Sequence, residues 1–221
     1  MTTQFQKSLT RLEDLEKAQI ESYKRMMEAY DSAMYAVDLF ISGALNRSVA
    51  LSEGFRSLVK AKNLICAGAI LRLQIDTAIR IFAGTLVDDT NQFVSDVLKG
   101  HHIRNLKDRD GKKMTDKYLV EKLSGEYPWL PKVYEKTSSY IHLSDTHLFA
   151  SVQNVDKDKR TLSLKISAVD RDEIPEKLYV EAVDAFNAAT EIIVRQVGGW
   201  IFTKSNPEIA AKLKAESIKK G

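Results

Sequence analysis

The chain has 221 residues, of which 44% are hydrophobic and 29% are charged, and its 33 lysines and arginines face 30 aspartates and glutamates. The apolar share excludes a wholly disordered chain, and a formal net charge of +3 excludes a uniformly basic nucleic-acid-binding surface. A single cysteine excludes an internal disulfide and a thiolate metal site, and we expect Cys66 to lie in the core. The longest apolar run, residues 64–71, is too short for a membrane span, and the N-terminus has no secretory signal pattern. We therefore expect a cytoplasmic protein without membrane contacts.

Apolar residues recur at about every third or fourth position through residues 5–44, with charged residues between them. This period predicts one long amphipathic helix, which would extend about 60 Å at about 1.5 Å per residue. A helix of that length usually packs against another long helix or against a second copy of itself. We therefore expect a homodimer that forms through this helix.

A second helix is predicted over residues 48–60, and Asn63 is a candidate N-cap for a third over residues 64–87. The third segment is apolar on almost every side, so we expect it at the centre of the fold. Its exceptions include Arg72, Asp76 and Arg80, which follow one another at i, i+4 and i+8. They form one charged stripe along the helix, and the name charged stripe is kept for them below.

The charged stripe has two interpretations, because a buried charge must be paired or must lie in a wet cavity. In the first, the stripe belongs to a structural polar network that fixes the register of the helices. In the second, the two guanidinium groups face a phosphate or carboxylate in an anion-binding cleft, and Asp76 orients them. The spacing alone does not distinguish the two.

Further elements are predicted after the central helix: a short helix over residues 90–98, a helix after Thr115, a helix from Pro131 through Tyr140 toward His142, a β-hairpin at about residues 148–167, and a last long helix from Asp172 and Pro175 to Trp200. We therefore predict a mainly α fold, a bundle of four or more helices with one appended β-hairpin. Residues 1–203 form a single domain in this prediction, and residues 204–221 form a basic C-terminal tail.

A second polar cluster lies between residues 134 and 147 and contains hydroxyl, imidazole and carboxylate groups at eight positions: Tyr134, Ser138, Ser139, Tyr140, His142, Ser144, Asp145 and His147. If the helix from Pro131 continues, Ser138, His142 and Asp145 share one face, and a carboxylate would orient His142 as a general base. The alternative is that His142 forms hydrogen bonds in the core and His147 caps a helix end. The histidine spacing does not fit a metal site, so we predict no metal ligands and no cofactor.

A basic loop over residues 104–113 and the basic tail are candidate phosphate contacts. Asp108 and Asp110 interrupt the loop, and neither segment interleaves aromatic residues with its basic ones, as single-stranded nucleic-acid sites do. We therefore interpret both segments as solvated surface. No glycine-rich phosphate-binding motif is present in the sequence.

The helix LRLQIDTAIRIFA and the later motif YxxxSxYIHLSxxH resemble a group of bacterial helical proteins related to the HEPN superfamily, over residues 45–150. The resemblance implies a helical bundle, commonly dimeric, and in many members metal-independent cleavage of RNA in toxin, defence or CRISPR-associated systems. An arginine a few positions before a histidine marks that activity. Here the nearest equivalent is Lys136, ahead of His142, and many proteins of this kind are regarded as non-catalytic binding or regulatory partners.

We consider three functions. The first is a non-catalytic binding or regulatory protein with a pocket for an anionic ligand or RNA, built by Arg72, Asp76, Arg80, Ser139, Tyr140, His142, Ser144 and His147. The second is a metal-independent RNase in which His142 is the general base and Lys136 or Arg72 stabilises the phosphate charge. The third is a structural or adaptor protein that associates through its N-terminal helix.

Overall fold

Four long helices form the centre of the structure, a computed structural model that describes residues 3–170, 174–208 and 211. They are α1 (Thr3–Glu28), α2 (Ala36–Lys60), α3 (Leu64–Ala83) and α8 (Glu176–Ser205). The shorter elements between α3 and α8 are α4 (Thr90–Leu98), a 3-10 turn (Ile103–Asn105), α5 (Asp116–Ser124), α6 (Leu130–Ser138) and α7 (Asp145–Ser151). Strands β1 (Val152–Asp156) and β2 (Thr161–Leu164) pair as an antiparallel hairpin. The predicted helical bundle with one appended hairpin is therefore confirmed.

Helix α3 lies at the centre, as its composition predicts, and packs against α2, α5, α6 and α8. Phe55 of α2 stacks on Phe186 of α8, with 4.2 Å between the ring centroids. The Nε2 amide of Gln74 donates to Ser48 Oγ at 2.6 Å and to Thr190 Oγ1 at 2.9 Å. These buried hydrogen bonds link α2, α3 and α8 within an otherwise apolar core.

The predicted continuous helix over residues 5–44 is wrong, because the chain reverses direction between α1 and α2. Tyr30, Asp31 and Ser32 have φ angles of 53°, 53° and 60°, in the left-handed region that ends a right-handed helix. Helix α1 then packs against both α2 and α8. The apolar period continues across the break because each helix buries one face against the same core. The long helix expected as a dimer interface is therefore absent from the described residues.

A fully buried ion pair joins the ends of three helices. Lys204 Nζ lies 3.0 Å from Asp38 Oδ2, and both side chains are 0% exposed. The same ammonium donates to the Met26 carbonyl at 2.8 Å, and Trp200 Nε1 donates to Asp38 Oδ1 at 2.7 Å. Lys204 therefore belongs to the core and not to the predicted basic tail. Residues 209–210 and 212–221 of that tail lie outside the described residues.

Several predicted boundaries differ from the structure. Helix α3 ends at Ala83, and α6 ends at Ser138 without reaching His142. Residues 148–151, expected to form a strand, complete α7 instead. Cys66 is exposed rather than buried, because it lies in the first turn of α3, which is only partly covered. Asp172 lies outside the described residues, and the last helix begins at Glu176.

Asp108 bridges the basic loop through hydrogen bonds. Its Oδ1 accepts the backbone N–H groups of Lys112 at 2.8 Å and Asp110 at 3.0 Å, and its Oδ2 accepts the Tyr118 hydroxyl. Burial opposes ionisation of Asp108, but these hydrogen bonds outweigh it and hold the pKa of its carboxyl below the usual value. The hydrogen bond to Asp108 also raises the pKa of Tyr118 to about 12. Asp108, one of the two acidic residues that interrupt the basic charges, therefore has a structural role in the loop.

Replacing Lys204 with methionine would leave the Asp38 carboxylate buried without its counter-charge. We expect the free energy of unfolding, measured by chemical denaturation, to fall by about 3–5 kcal/mol. The control is Lys177→Met, which removes an exposed lysine from the same helix and should change the free energy by less than about 0.5 kcal/mol. Similar small losses in both variants would contradict a stabilising role for the buried pair.

Candidate functional site

The charged stripe of α3 faces the start of α5, where Asp116 supplies a counter-charge to both arginines. Arg72 Nη2 lies 3.4 Å from Asp116 Oδ2, and Arg80 Nη2 contacts the other carboxylate oxygen. Asp76 Oδ1 accepts from Arg80 Nε at 3.2 Å, and Arg47 Nη1 of α2 lies 3.2 Å from Asp76 Oδ2. Each charge of the stripe therefore lies beside an opposite charge.

Tyr134 of α6 also packs on the charged stripe. The guanidinium carbon of Arg72 lies 3.8 Å from the centre of the Tyr134 ring, and the Tyr134 hydroxyl donates to Asp116 Oδ2 at 3.4 Å. Burial raises the pKa of Tyr134; Arg72 opposes this rise and Asp116 adds to it. The neutral hydroxyl, the stacked guanidinium and the shared carboxylate together fix α5 and α6 on α3.

These contacts favour the structural-network interpretation of the charged stripe. The Arg72 side chain is 9% exposed, so its charge needs the pairing that Asp116 provides. Arg72 Nε and Arg80 Nη1 are buried and have no hydrogen-bond partner among the described residues. Anion binding at the stripe stays a prediction.

Tyr140 packs on α3 at Gly68, one helical turn before Arg72. A Cβ atom at Gly68 would lie 2.6 Å from Cγ and Cδ2 of the Tyr140 ring, so the close approach requires glycine. Burial raises the pKa of Tyr140, and the charge of Asp170 raises it further. Tyr140 is therefore a neutral side chain at neutral pH, held against α3 by packing.

His142 does not have the predicted catalytic arrangement. Because α6 ends at Ser138, the residues Ser138, His142 and Asp145 do not share one helical face. The His142 side chain is exposed and forms no hydrogen bond or ion pair among residues 3–170, 174–208 and 211. No carboxylate in this part of the chain therefore orients its imidazole.

Ser139, Ser144 and His147 fix the turn between α6 and α7. The Ser144 hydroxyl donates to the Ser139 carbonyl at 2.9 Å, and the Ser144 backbone N–H donates to His147 Nδ1 at 3.3 Å. His147 therefore caps a helix, as the alternative interpretation predicts, although it caps the start of α7. These three polar groups have local structural partners.

Helices α3 and α6, with the first half of α8, surround a cavity of about 430 Å³. Three small residues line this space, namely Gly68, against which Tyr140 packs, and Ala182 and Ala185 of α8. Most of the remaining wall is apolar, and its residues are Leu64, Leu71, Val133, Thr137, Tyr140 and Leu178. Three charged residues also line the cavity, namely Lys132, Lys136 and Glu181.

The lysines give the cavity its electrostatic character. Lys132 and Lys136 stand at i and i+4 on the same face of α6, and both are exposed. Neither ammonium has an acidic partner among the described residues, whereas Glu181 pairs with Lys177 at 3.6 Å. The cavity therefore joins an apolar interior to two cationic groups that are open to solvent.

Of the residues predicted from sequence, only Lys136 and Tyr140 line this cavity. Arg72, Asp76 and Arg80 form the neighbouring charged cluster, and the other candidates lie in the turn after α6. Sequence reasoning missed Lys132 and the wall from α8. The sequence signal that could have found the site is the i, i+4 pair Lys132 and Lys136 on the helix whose first turn contains Pro131.

Comparisons with models of protein families, with curated proteins and with solved structures found no match. Within the described residues, no group of three or more histidine, cysteine, aspartate or glutamate side chains could hold a metal ion. Every helix in the same part of the chain is too short or too polar to cross a bilayer.

Replacing Asp116 with asparagine would remove the carboxylate that Arg72 and Arg80 share. We expect the free energy of unfolding to fall by about 2 kcal/mol, less than for a fully buried pair because Asp116 is partly exposed. Asp145→Asn is the control, because Asp145 is also the first residue of a helix but is exposed and has no ion pair among the described residues. Equal effects in chemical denaturation would show that helix-end electrostatics alone explain the loss.

Proposed function

We propose that this protein is a non-catalytic binding protein whose cavity takes a small organic anion with an apolar body. The observation that carries the proposal is an apolar cavity with two lysines, Lys132 and Lys136, that have no acidic partner among the described residues. Its volume of about 430 Å³ falls within the roughly 300–1,000 Å³ of ligand pockets. Pockets of this kind bind an apolar group by burial and orient it through a few polar contacts.

The apolar wall and the two lysines of the cavity suit different parts of the ligand. The apolar body would lie against Leu71 and Val133 and in the space left by Ala182. A carboxylate, sulfonate or phosphate group would lie at Lys132 and Lys136, where opposite charge favours it. A ligand in this position would contact α3, α6 and α8 at once.

This proposal keeps the anionic ligand expected from the sequence and moves its position from the charged stripe to the neighbouring cavity. Tyr140 and Lys136 belong to both versions. Relationship to the HEPN superfamily, a role in defence or toxin systems and association as a homodimer stay predictions. The proposal does not depend on them, because it rests on the cavity and its lysines.

The position of His142 supports the non-catalytic part of the proposal. A general base for attack by a ribose hydroxyl needs a defined position and an oriented imidazole. His142 is exposed and has no hydrogen-bonding partner in the part of the chain described. Lys136, the expected phosphate ligand of an RNase, lines the cavity instead.

We expect decanoate, an anion with an apolar chain, to bind the protein, and the double variant Lys132→Gln, Lys136→Gln to bind it about tenfold more weakly. Isothermal titration calorimetry measures both dissociation constants. The control removes the same charge from the exposed basic loop, as Lys107→Gln with Lys113→Gln, and should retain wild-type affinity. Decanol, the neutral counterpart of decanoate, should bind wild type and the Lys132, Lys136 variant equally.

A second variant separates binding in the cavity from adsorption to the surface. Ala185→Phe places a large side chain in the cavity, so we expect decanoate binding to be lost while the protein stays folded. Circular dichroism checks folding in the same samples. Undiminished binding in this variant, or equal weakening by both lysine double variants, would refute the cavity as the site.

We expect no cleavage of single-stranded RNA in the presence of EDTA, because His142 lacks an orienting partner among the described residues. Gel analysis of labelled RNA compares the wild type with His142→Ala purified in the same way. Cleavage by the wild type that disappears in His142→Ala would establish the RNase alternative and end the non-catalytic proposal.

A further inference from the structure

Helix α1 places an unpaired amide in the core. Gln19 is 0% exposed, and neither its Oε1 nor its Nε2 has a hydrogen-bond partner among the described residues. It stands seven residues after Leu12 and seven before Met26 on the same face of α1, and both of these apolar side chains are also 0% exposed. An apolar residue would suit this position better, because a buried amide without hydrogen bonds lowers the stability of the fold.

Another buried glutamine shows the usual arrangement. Gln74 is 0% exposed as well, but its Nε2 donates to Ser48 and to Thr190. Ser42, a hydroxyl residue near Gln19 in the fold, donates to the Asp38 carbonyl at 2.6 Å instead. Native structures leave few buried polar side-chain groups unpaired, so Gln19 needs an explanation outside the contacts of the described chain.

Gln19 lines a cavity of about 360 Å³ between α1 and α2. The apolar wall consists of Leu45 and Val49 of α2 with Ile20 and Tyr23 of α1. Ile20 is 49% exposed and Tyr23 is 41% exposed, so solvent reaches the edge of the cavity. No lysine, arginine, histidine, aspartate or glutamate is among the described residues that line it. The cavity therefore combines an uncharged, mostly apolar wall with one buried amide.

We propose that this cavity is a second ligand site, which binds an uncharged primary carboxamide with an apolar body. The Gln19 amide has a free N–H donor and a free carbonyl acceptor, and a primary carboxamide matches both with two hydrogen bonds. A charged ligand is disfavoured, because no opposite charge in the described wall would compensate for the loss of its hydration.

The cavity also has the size of a ligand site, since its volume falls within the roughly 300–1,000 Å³ of ligand pockets. The apolar body of the ligand would lie against Leu45 and Val49. This site shares no lining residue with the cavity at Lys132 and Lys136, so it is independent of the proposed organic anion.

A stability measurement on the free protein tests the unpaired amide. Gln19→Leu replaces the amide with an apolar side chain of similar volume, so we expect Tm in thermal denaturation to rise by about 2–4 °C. The control is Gln4→Leu, which changes an exposed glutamine of the same helix and should leave Tm within about 1 °C of the wild type. A lower Tm for Gln19→Leu would show that Gln19 already has a stabilising partner and would overturn the proposal.

Titration of the full chain with benzamide and with acetophenone, followed by ¹H–¹⁵N chemical shifts, tests the ligand. Acetophenone keeps the ring and the carbonyl but carries a methyl group in place of the amide nitrogen. We expect the wild type to bind benzamide about tenfold more tightly than acetophenone, with the largest shifts at Gln19, Leu45 and Val49. Gln19→Leu should lose this preference, and Gln4→Leu should retain it.

The comparison of the two compounds in the wild type does not depend on the folding of a variant. Equal binding of benzamide and acetophenone, or no saturable shifts at all, would overturn the proposal and would favour an ordered water as the partner of Gln19. A preference that survives Gln19→Leu would also overturn it. Largest shifts at Gly68 and Thr137 would place benzamide in the lysine-lined cavity and would refute the second site alone.

Discussion

Arg72 lies buried in the central helix, and its charge requires an opposite charge nearby. Asp116, at the first position of α5, meets this requirement and also contacts Arg80. Tyr134 then stacks on Arg72 and donates to the same carboxylate. Removing Asp116 would leave the buried Arg72 without a counter-charge, and the shared contacts hold α5 and α6 on α3.

The position of α6 determines the cavity. Residue 134 stands about 200° around the helix from residue 132, so Tyr134 faces the charged cluster while Lys132 and Lys136 occupy another side. That side lines the space between α3 and α8, whose wall on α8 includes the small residues Ala182 and Ala185. The arginine cluster is thus structural in this account, and its contribution to binding is to hold the lysines at the cavity.

The sequence predicts the central helix and its need for counter-charges. An apolar helix is buried on most sides, and the charged stripe along it must then be paired with opposite charges. It does not identify Asp116, which lies 44 residues after Arg72. Lys204 stands at the start of a lysine-rich segment that is typical of a solvated tail. Only the packing of three helices shows that its side chain is buried. The turn after α1 uses Tyr30 and its neighbours in left-handed conformations, with no glycine or proline to mark it. The local sequence pattern therefore predicts the helices. Whether a charged residue is buried and paired depends on residues that are distant in sequence, which the pattern does not identify.

Chemical-shift mapping tests the central claim most directly, because it locates a bound anion without any substitution. In the ¹H–¹⁵N spectrum of labelled protein titrated with decanoate, we expect the largest shifts at Gly68, Leu71, Thr137 and Ala182, which line the cavity. Largest shifts at amides around Arg80, in the charged cluster, or no saturable shifts at all would contradict the account.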